Sequence, residues 1–178
     1  MLGTPATSIM AEEGVPVTPA PFLSSPKVVT AGEQVRRMRG GSQAHLMSCS
    51  DGRFYVVKFH NNPQHPRILI NEYLAGKLAR LLGLPCPDIC LVDVQQDLIH
   101  RTPELSFELP RPPNPVAAGL AFGSEHPSRN GRAYRTMQSV LELRQASAPA
   151  RVENLSDLFG ILIFDKWTSN TDNRQMLC

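Results

Sequence analysis

A paired glycine, a strand that ends in lysine and a helix that opens near a glutamate follow one another between residues 40 and 72. This order constrains the fold more than any other feature of the chain. The turn reads Gly40-Gly41-Ser42-Gln43-Ala44, the strand Phe54-Tyr55-Val56-Val57-Lys58-Phe59, and the helix starts near Asn71-Glu72. Adjacent glycines take positive φ without a Cβ penalty and let backbone N–H groups approach a ligand, as an anion-holding hairpin requires. The aromatic and β-branched run up to Phe59 predicts a strand. Ile70, Leu74, Leu78, Leu81 and Leu82 recur at helical spacing, which predicts a helix over about 68–82 with Glu72 beside the start of its apolar stripe. Gly83 and Pro85 stop it.

Each part alone fits a plainer role. Gly-Gly is an ordinary turn dipeptide, Lys58 a solvated strand lysine, and Glu72 a first-turn glutamate favoured by the helix dipole. In this order the three predict a phosphate clamp, in which turn amides hold the phosphates, Lys58 reaches their oxygens and Glu72 orients Lys58. Ser50-Asp51-Gly52-Arg53 adds an Asp-Gly hairpin signal between Leu46–Cys49 and Phe54–Phe59. Asn61 to Pro66 is a loop on composition, Ile89 to Val94 a buried strand, and Gln95-Gln96-Asp97 a turn.

Prolines and glycines crowd residues 98–133, which predicts a long surface connection. Arg135 to Ala146 has the spacing of a moderate helix. Asn154-Leu155-Ser156-Asp157 offers N-capping side chains before Leu158-Phe159-Gly160-Ile161-Leu162-Ile163-Phe164, apolar on nearly every face and so expected to be a buried helix. The chain then turns polar from Asp165 to Arg174, where an exposed site on a rigid support is expected. Asp172 is the candidate catalytic carboxylate, because phosphoryl transfer needs a group to orient and deprotonate the attacking hydroxyl. Asn170 and Asn173 stand beside it as supports. A solvated Asn/Asp turn after a helix is the plainer alternative.

With 178 residues, 42% hydrophobic and 19% charged, the chain has enough apolar content for a core of one domain or slightly more. Its net charge of +2 gives no nucleic-acid or anionic-membrane signal. No apolar run reaches the ~20 residues of a membrane span and the first residues lack a signal-peptide pattern, so a cytoplasmic protein with reduced thiols is expected. Cys86 and Cys90 form C-x3-C with no partner pair, and no metal-ligating set is assigned. Residues 1–26, with five prolines among small and polar residues, predict a disordered tail. The motifs of acyl and hydrolytic enzymes (G-x-S-x-G, H-E-x-x-H) and the Walker lysine motif are missing.

Gly40-Gly41-Ser42-Gln43, Val56-Val57-Lys58-Phe59, Asn71-Glu72, Ala79 to Pro85, Gly119 to Ser124, Phe164-Asp165-Lys166-Trp167 and Asn170-Thr171-Asp172 follow in one order. Over roughly residues 30–178 the chain thereby resembles the HipA-like kinase family, distant relatives of protein and phosphatidylinositol kinases. The resemblance implies an α+β, protein-kinase-like fold. Residues 27–118 would form an antiparallel small-lobe sheet with one helix. Residues 119–178 would form the hinge and the first helices of an incomplete large lobe, with Gly119–Ser124 as the crossing that meets adenine. It implies ATP and Mg²⁺ as cofactors, Gly40, Gly41, Ser42, Gln43, Lys58 and Glu72 around the nucleotide, and Asp172 with Asn170 at the γ-phosphate. The acceptor would be a hydroxyl on a protein, lipid or small molecule. Relatives carry a metal-binding Asn about five residues after the catalytic Asp and a DFG-like Asp further on. Here Leu177 stands at the first position and the sequence stops at Cys178. A fragment of a longer kinase, or a truncated copy, is therefore expected. The alternative is a non-catalytic kinase-like module that binds a partner protein.

Overall fold

The computed structural model describes residues 25–108, 112–127, 136–137, 155–170 and 176–177. The elements begin with β1 (Val28–Arg37), β2 (His45–Cys49), β3 (Phe54–Lys58), α1 (Arg67–Leu81), β4 (Ile89–Val94) and α2 (Gln96–Arg101). Then come β5 (Ser106–Phe107), β6 (Asn114–Pro115), β7 (Gly119–Glu125), β8 (Thr136–Met137), α3 (Leu155–Trp167) and β9 (Met176–Leu177). This is a mixed α/β chain with a sheet-rich part and few helices, compatible with a kinase-like fold.

The main sheet runs in the order β1-β2-β3-β7-β4 and closes into a barrel. Neighbours are antiparallel except at the closing seam, where Val28, Val29 and Thr30 pair in parallel with Leu91, Val92 and Asp93. The all-antiparallel expectation is corrected at that seam. The cause is length, because β1 has ten residues against the five of β2 and its first residues find a second edge. Register shifts at Ala31/Glu33 and Gln34/Arg36 bend β1 between its two partners, as bulges do.

Alternation along the strands sends Met47, Tyr55, Val57, Cys90, Val92 and Val94 inward, each at most 1% exposed. Burying a side chain of this size contributes roughly 1.5–3 kcal/mol, so these positions dominate the stability of the barrel. The opposite face of the same strands carries Leu46, Val56 and Lys58, with Leu46 paired to Val56 and Lys58 to Phe122.

The expected Asp-Gly hairpin is present. Gly52 has φ +76°, and Cys49 N–H donates to the Arg53 carbonyl across the turn. The C-terminal glycine of α1 is present too. Gly83 has φ +71°, and the Leu84 N–H donates to the Ala79 carbonyl, the 6→1 bond of a Schellman motif that closes helices.

Further expectations are corrected. Gly119–Glu125, read as part of a surface connection and as a crossing between lobes, is an inner strand between β3 and β4. Its glycine is required by packing, since a Cβ on Gly123 would stand 2.6 Å from Val92 Cγ2. Gln95-Gln96-Asp97 does not simply turn but opens α2, with Gln95 at its N-cap. The apolar stripe of α1 faces outward: Ile70 is 61% and Leu81 61% exposed, because the helix lays its small residues Gly76 and Ala79 toward the sheet. A Cβ at Gly76 would lie 3.0 Å from Ile89 Cδ1, so only a small residue permits this close approach.

Another concerns α3, which was expected to be buried. Phe164 is buried, but Phe159, Leu162, Ile163 and Trp167 are exposed. The helix approaches the rest of the described chain through Gly160, where a Cβ would lie 2.6 Å from Leu84 Cδ2, and leaves those four side chains exposed. Thr136–Met137 pairs with Met176–Leu177 as a short strand, so the helix expected from Arg135 does not include these two residues; its remainder lies outside the described residues. The expected tail lies outside them as well, except for Ser25 and Pro26. No helix among the described residues is long and apolar enough to cross a membrane.

Candidate functional site

The glycine turn joins β1 to β2 at one end of the barrel. Met38 N–H donates to the Ala44 carbonyl at 2.7 Å and Gln43 N–H to the Gly40 carbonyl at 3.1 Å, which folds residues 38–44 back on themselves. Gly40 takes φ +130° and Gln43 φ +46°. The first is open to glycine alone, and the second places a non-glycine residue in the left-handed region at a cost of roughly 1–2 kcal/mol. The Gln43 side chain offsets part of this by accepting the Glu108 N–H at 2.7 Å. Arg37 anchors the same side, donating to the Glu104 and Ser106 carbonyls and pairing with Glu108. Among the described residues, the N–H groups of Gly41 and Ser42 donate to no acceptor.

Below the turn the end of the barrel is closed by aromatic rings. His45 meets Phe59 edge-on with centroids 5.6 Å apart, and Phe59 meets Phe107 in the same way at 6.2 Å. His45 is fully buried, and its Nδ1 lies 3.2 Å from Gln34 Nε2. Burial, reinforced by the nearby Arg37 guanidinium, pushes the imidazole down to about 4, so the ring is neutral near pH 7.

Lys58, the last residue of β3, reaches across to α1. Its Nζ stands 2.5 Å from Glu72 Oε1, and the two side chains are 21% and 36% exposed. Leu46, buried, and Val56, half-buried, pair with each other on the same face of the sheet. Gly40, Gly41 and Gln43 line a cleft of about 530 Å³ together with Arg39, Pro63 and Gln64. Lys58 and Ser42 do not line it, although Ser42 belongs to the same turn.

Asn170 follows the end of α3. Its backbone N–H donates to the Asp165 carbonyl at 2.8 Å and its side-chain amide to Asp165 Oδ1 at 3.0 Å. Thr168 Oγ1 donates to the Phe164 carbonyl, and Ser169 takes φ +55°, so the chain turns sharply there. Asp172 and Asn173 lie outside the described residues. Among the described residues no group of three or more His, Cys, Asp or Glu is gathered to hold a metal ion.

Two residues near the turn escaped the sequence reading. Asn62, 6% exposed, donates to the Phe59 and His65 carbonyls and accepts the Gln64 and His65 N–H groups. This side chain shapes the loop from β3 to α1 and carries Gln64 to the glycine turn. Asn-Pro followed by a polar residue is a turn-initiating pattern and was the available signal.

A barrel with a glycine turn at its mouth and a lysine tied by glutamate to the following helix is an arrangement found in kinase-like folds. A family model described as HipA-like kinase matches residues 32–176, and the chain belongs to that family. No curated protein and no solved structure is found to match it. At the level of the family, the protein is kinase-like.

Proposed function

We propose that this chain binds ATP at the glycine turn and forms the nucleotide-holding part of a kinase that transfers the γ-phosphate to a hydroxyl acceptor. The observation that carries this reading is the Lys58–Glu72 pair, 2.5 Å long and running from β3 to α1 on the side of the barrel that carries the turn. A lysine held in this way presents its remaining N–H groups to phosphate oxygens in a fixed position. The amides of Gly41 and Ser42 supply further donors, and half-buried Val56 on the outer face of β3 offers an apolar contact for the base. Asp172, with Asn170 beside it, takes the proton of the attacking hydroxyl in this reading. Mg²⁺, when bound with ATP, neutralises charge on the phosphates. No described residue is assigned to it. The domain boundary is proposed after Glu125, so that the whole barrel belongs to the small lobe.

A second reading is a kinase-like module that docks a partner protein without phosphoryl transfer. The exposed apolar side chains of α1 and α3 favour it. Calorimetric titration of the folded protein with ATP, with and without Mg²⁺, separates the two. Micromolar binding strengthened by Mg²⁺ supports the first. No binding by a chain that melts cooperatively supports the second. Asp172→Asn is expected to leave ATP affinity intact while stopping transfer, and a clear loss of affinity would remove Asp172 from the catalytic role.

A further inference from the structure

The loop between β3 and α1 does more than connect them. Asn62 is buried and uses both ends of its carboxamide on this loop, so the backbone at Gln64 is held in one place. From there the Gln64 side chain extends into the cleft that Gly40, Gly41 and Gln43 line. It comes so near the turn that a Cβ built on Gly41 would collide with Gln64 Nε2 and stand 3.2 Å from its Cδ. Gly41 has no positive φ, so its own backbone does not require glycine. The amide of Gln64 lies where that Cβ would be, so a side chain at position 41 would push this flexible end aside.

That amide makes no hydrogen bond among the described residues, and neither do the adjacent N–H groups of Gly41 and Ser42. The carboxamide NH₂ has two donors, so solvent-facing donors of Gly41 and Gln64, which bond to no described residue, meet at one wall of the cleft, with the Ser42 N–H next along the turn. An anion is the ligand that such a set fits. We infer that Gln64 is a phosphate-binding residue, whose side-chain amide completes the cradle begun by the Gly41 and Ser42 N–H groups. This rests on the nucleotide reading above and deepens it, because it assigns a binding role to the loop before α1.

The glycine and the glutamine then act as one unit. A methyl group at position 41 displaces the flexible end of Gln64 without unfolding the turn, so Gly41→Ala should mimic Gln64→Ala. The experiment is a calorimetric titration of the wild type, Gln64→Ala, Gly41→Ala, the double variant and Gln64→Glu, each with ATP and with adenosine. Gln64→Ala is expected to raise the Kd for ATP roughly tenfold, the loss typical of one hydrogen bond to a charged group, and to leave adenosine unchanged. Gly41→Ala should do the same, and the double variant no more than either single. Gln64→Glu should weaken ATP further by setting a carboxylate against the phosphates. Wild-type ATP affinity in Gln64→Ala, an equal loss for adenosine, or additive losses in the double variant would each overturn the assignment. A folded wild type that does not bind ATP would instead overturn the nucleotide reading, and the phosphate role of Gln64 with it.

Discussion

Lys58 Nζ and Glu72 Oε1 stand 2.5 Å apart, joining the end of β3 to the first turns of α1. Both side chains keep contact with water, so the pair is worth no more than about 1 kcal/mol to the fold. Its value lies in fixing the direction of the ammonium. Lys58→Met and Glu72→Gln are therefore expected to shift Tm by no more than a few degrees while lowering ATP affinity at least tenfold. Paired melts and titrations check this; a loss of several kcal/mol of stability with unchanged affinity would assign the pair to the fold alone.

Gly123 is predicted to be intolerant of any side chain. Its Cβ would meet Val92 Cγ2 at 2.6 Å and Cys90 Sγ at 3.0 Å inside the barrel. Gly123→Ala should cost about 1–3 kcal/mol by overpacking. Adding Val92→Ala should cost less than the sum of the two single changes, because the second vacates the space that the first needs. Denaturant midpoints of the three variants measure it, and strict additivity would refute the clash.

Acid should weaken the fold through His45. The buried ring titrates near 4 and an unfolded histidine near 6.5, so the unfolded state takes up the proton first as pH falls. The stabilisation from keeping the ring neutral is complete above pH 6.5 and is lost on the way down to 4, with a slope of at most about 1.4 kcal/mol per pH unit. His126 is shifted in the same direction by burial and by Arg36. Denaturant melts between pH 6.5 and 5 should show the slope, and His45→Leu should remove its own share while leaving that of His126. A slope unchanged by the substitution would place the acid sensitivity elsewhere.

The thiols should differ in reactivity. Burial pushes Cys49 up to about 12 and Cys90 up to about 11, so both remain protonated and shielded at pH 8. Cys86 is only half-buried. Peptide mapping after alkylation of the native protein should find Cys86 modified well before Cys49 and Cys90, which should react only under unfolding conditions. Equal rates for all three would mean that the barrel opens faster than the reagent acts.

How far the sequence disclosed this arrangement depended on whether local chemistry or tertiary packing decided each element. The Asp51-Gly52 hairpin and the Gly83 stop were legible because a positive φ selects glycine wherever it occurs. Lys58 and Glu72 could be placed on a strand and a helix by periodicity, although periodicity could not measure the distance between them. The stripe of Ile70, Leu74 and Leu81 misled, because close packing through Gly76 and Ala79 outweighed the usual preference to bury the largest side chains. Gly119–Glu125 was hidden for a related reason. Its Gly123 answers to the bulk of Val92 and Cys90 on the neighbouring strand β4, which a reading of one segment at a time does not see. Gln64 carried no pattern of its own and became visible only beside Gly41.

The seam between β1 and β4 bears on how the chain can fold as it leaves the ribosome. Val28 is made well before its partner in the barrel, Leu91, which lies beyond both hairpin strands and all of α1. The β2–β3 hairpin can zip as soon as Phe54–Lys58 emerges, whereas the first residues of β1 must wait with an unpaired edge until Ile89–Val94 arrives. Closing that long loop comes late and slowly. During the wait the apolar edge at Val28 and Val29 is open to mispairing with another strand, and a chaperone that shields β1 would act there.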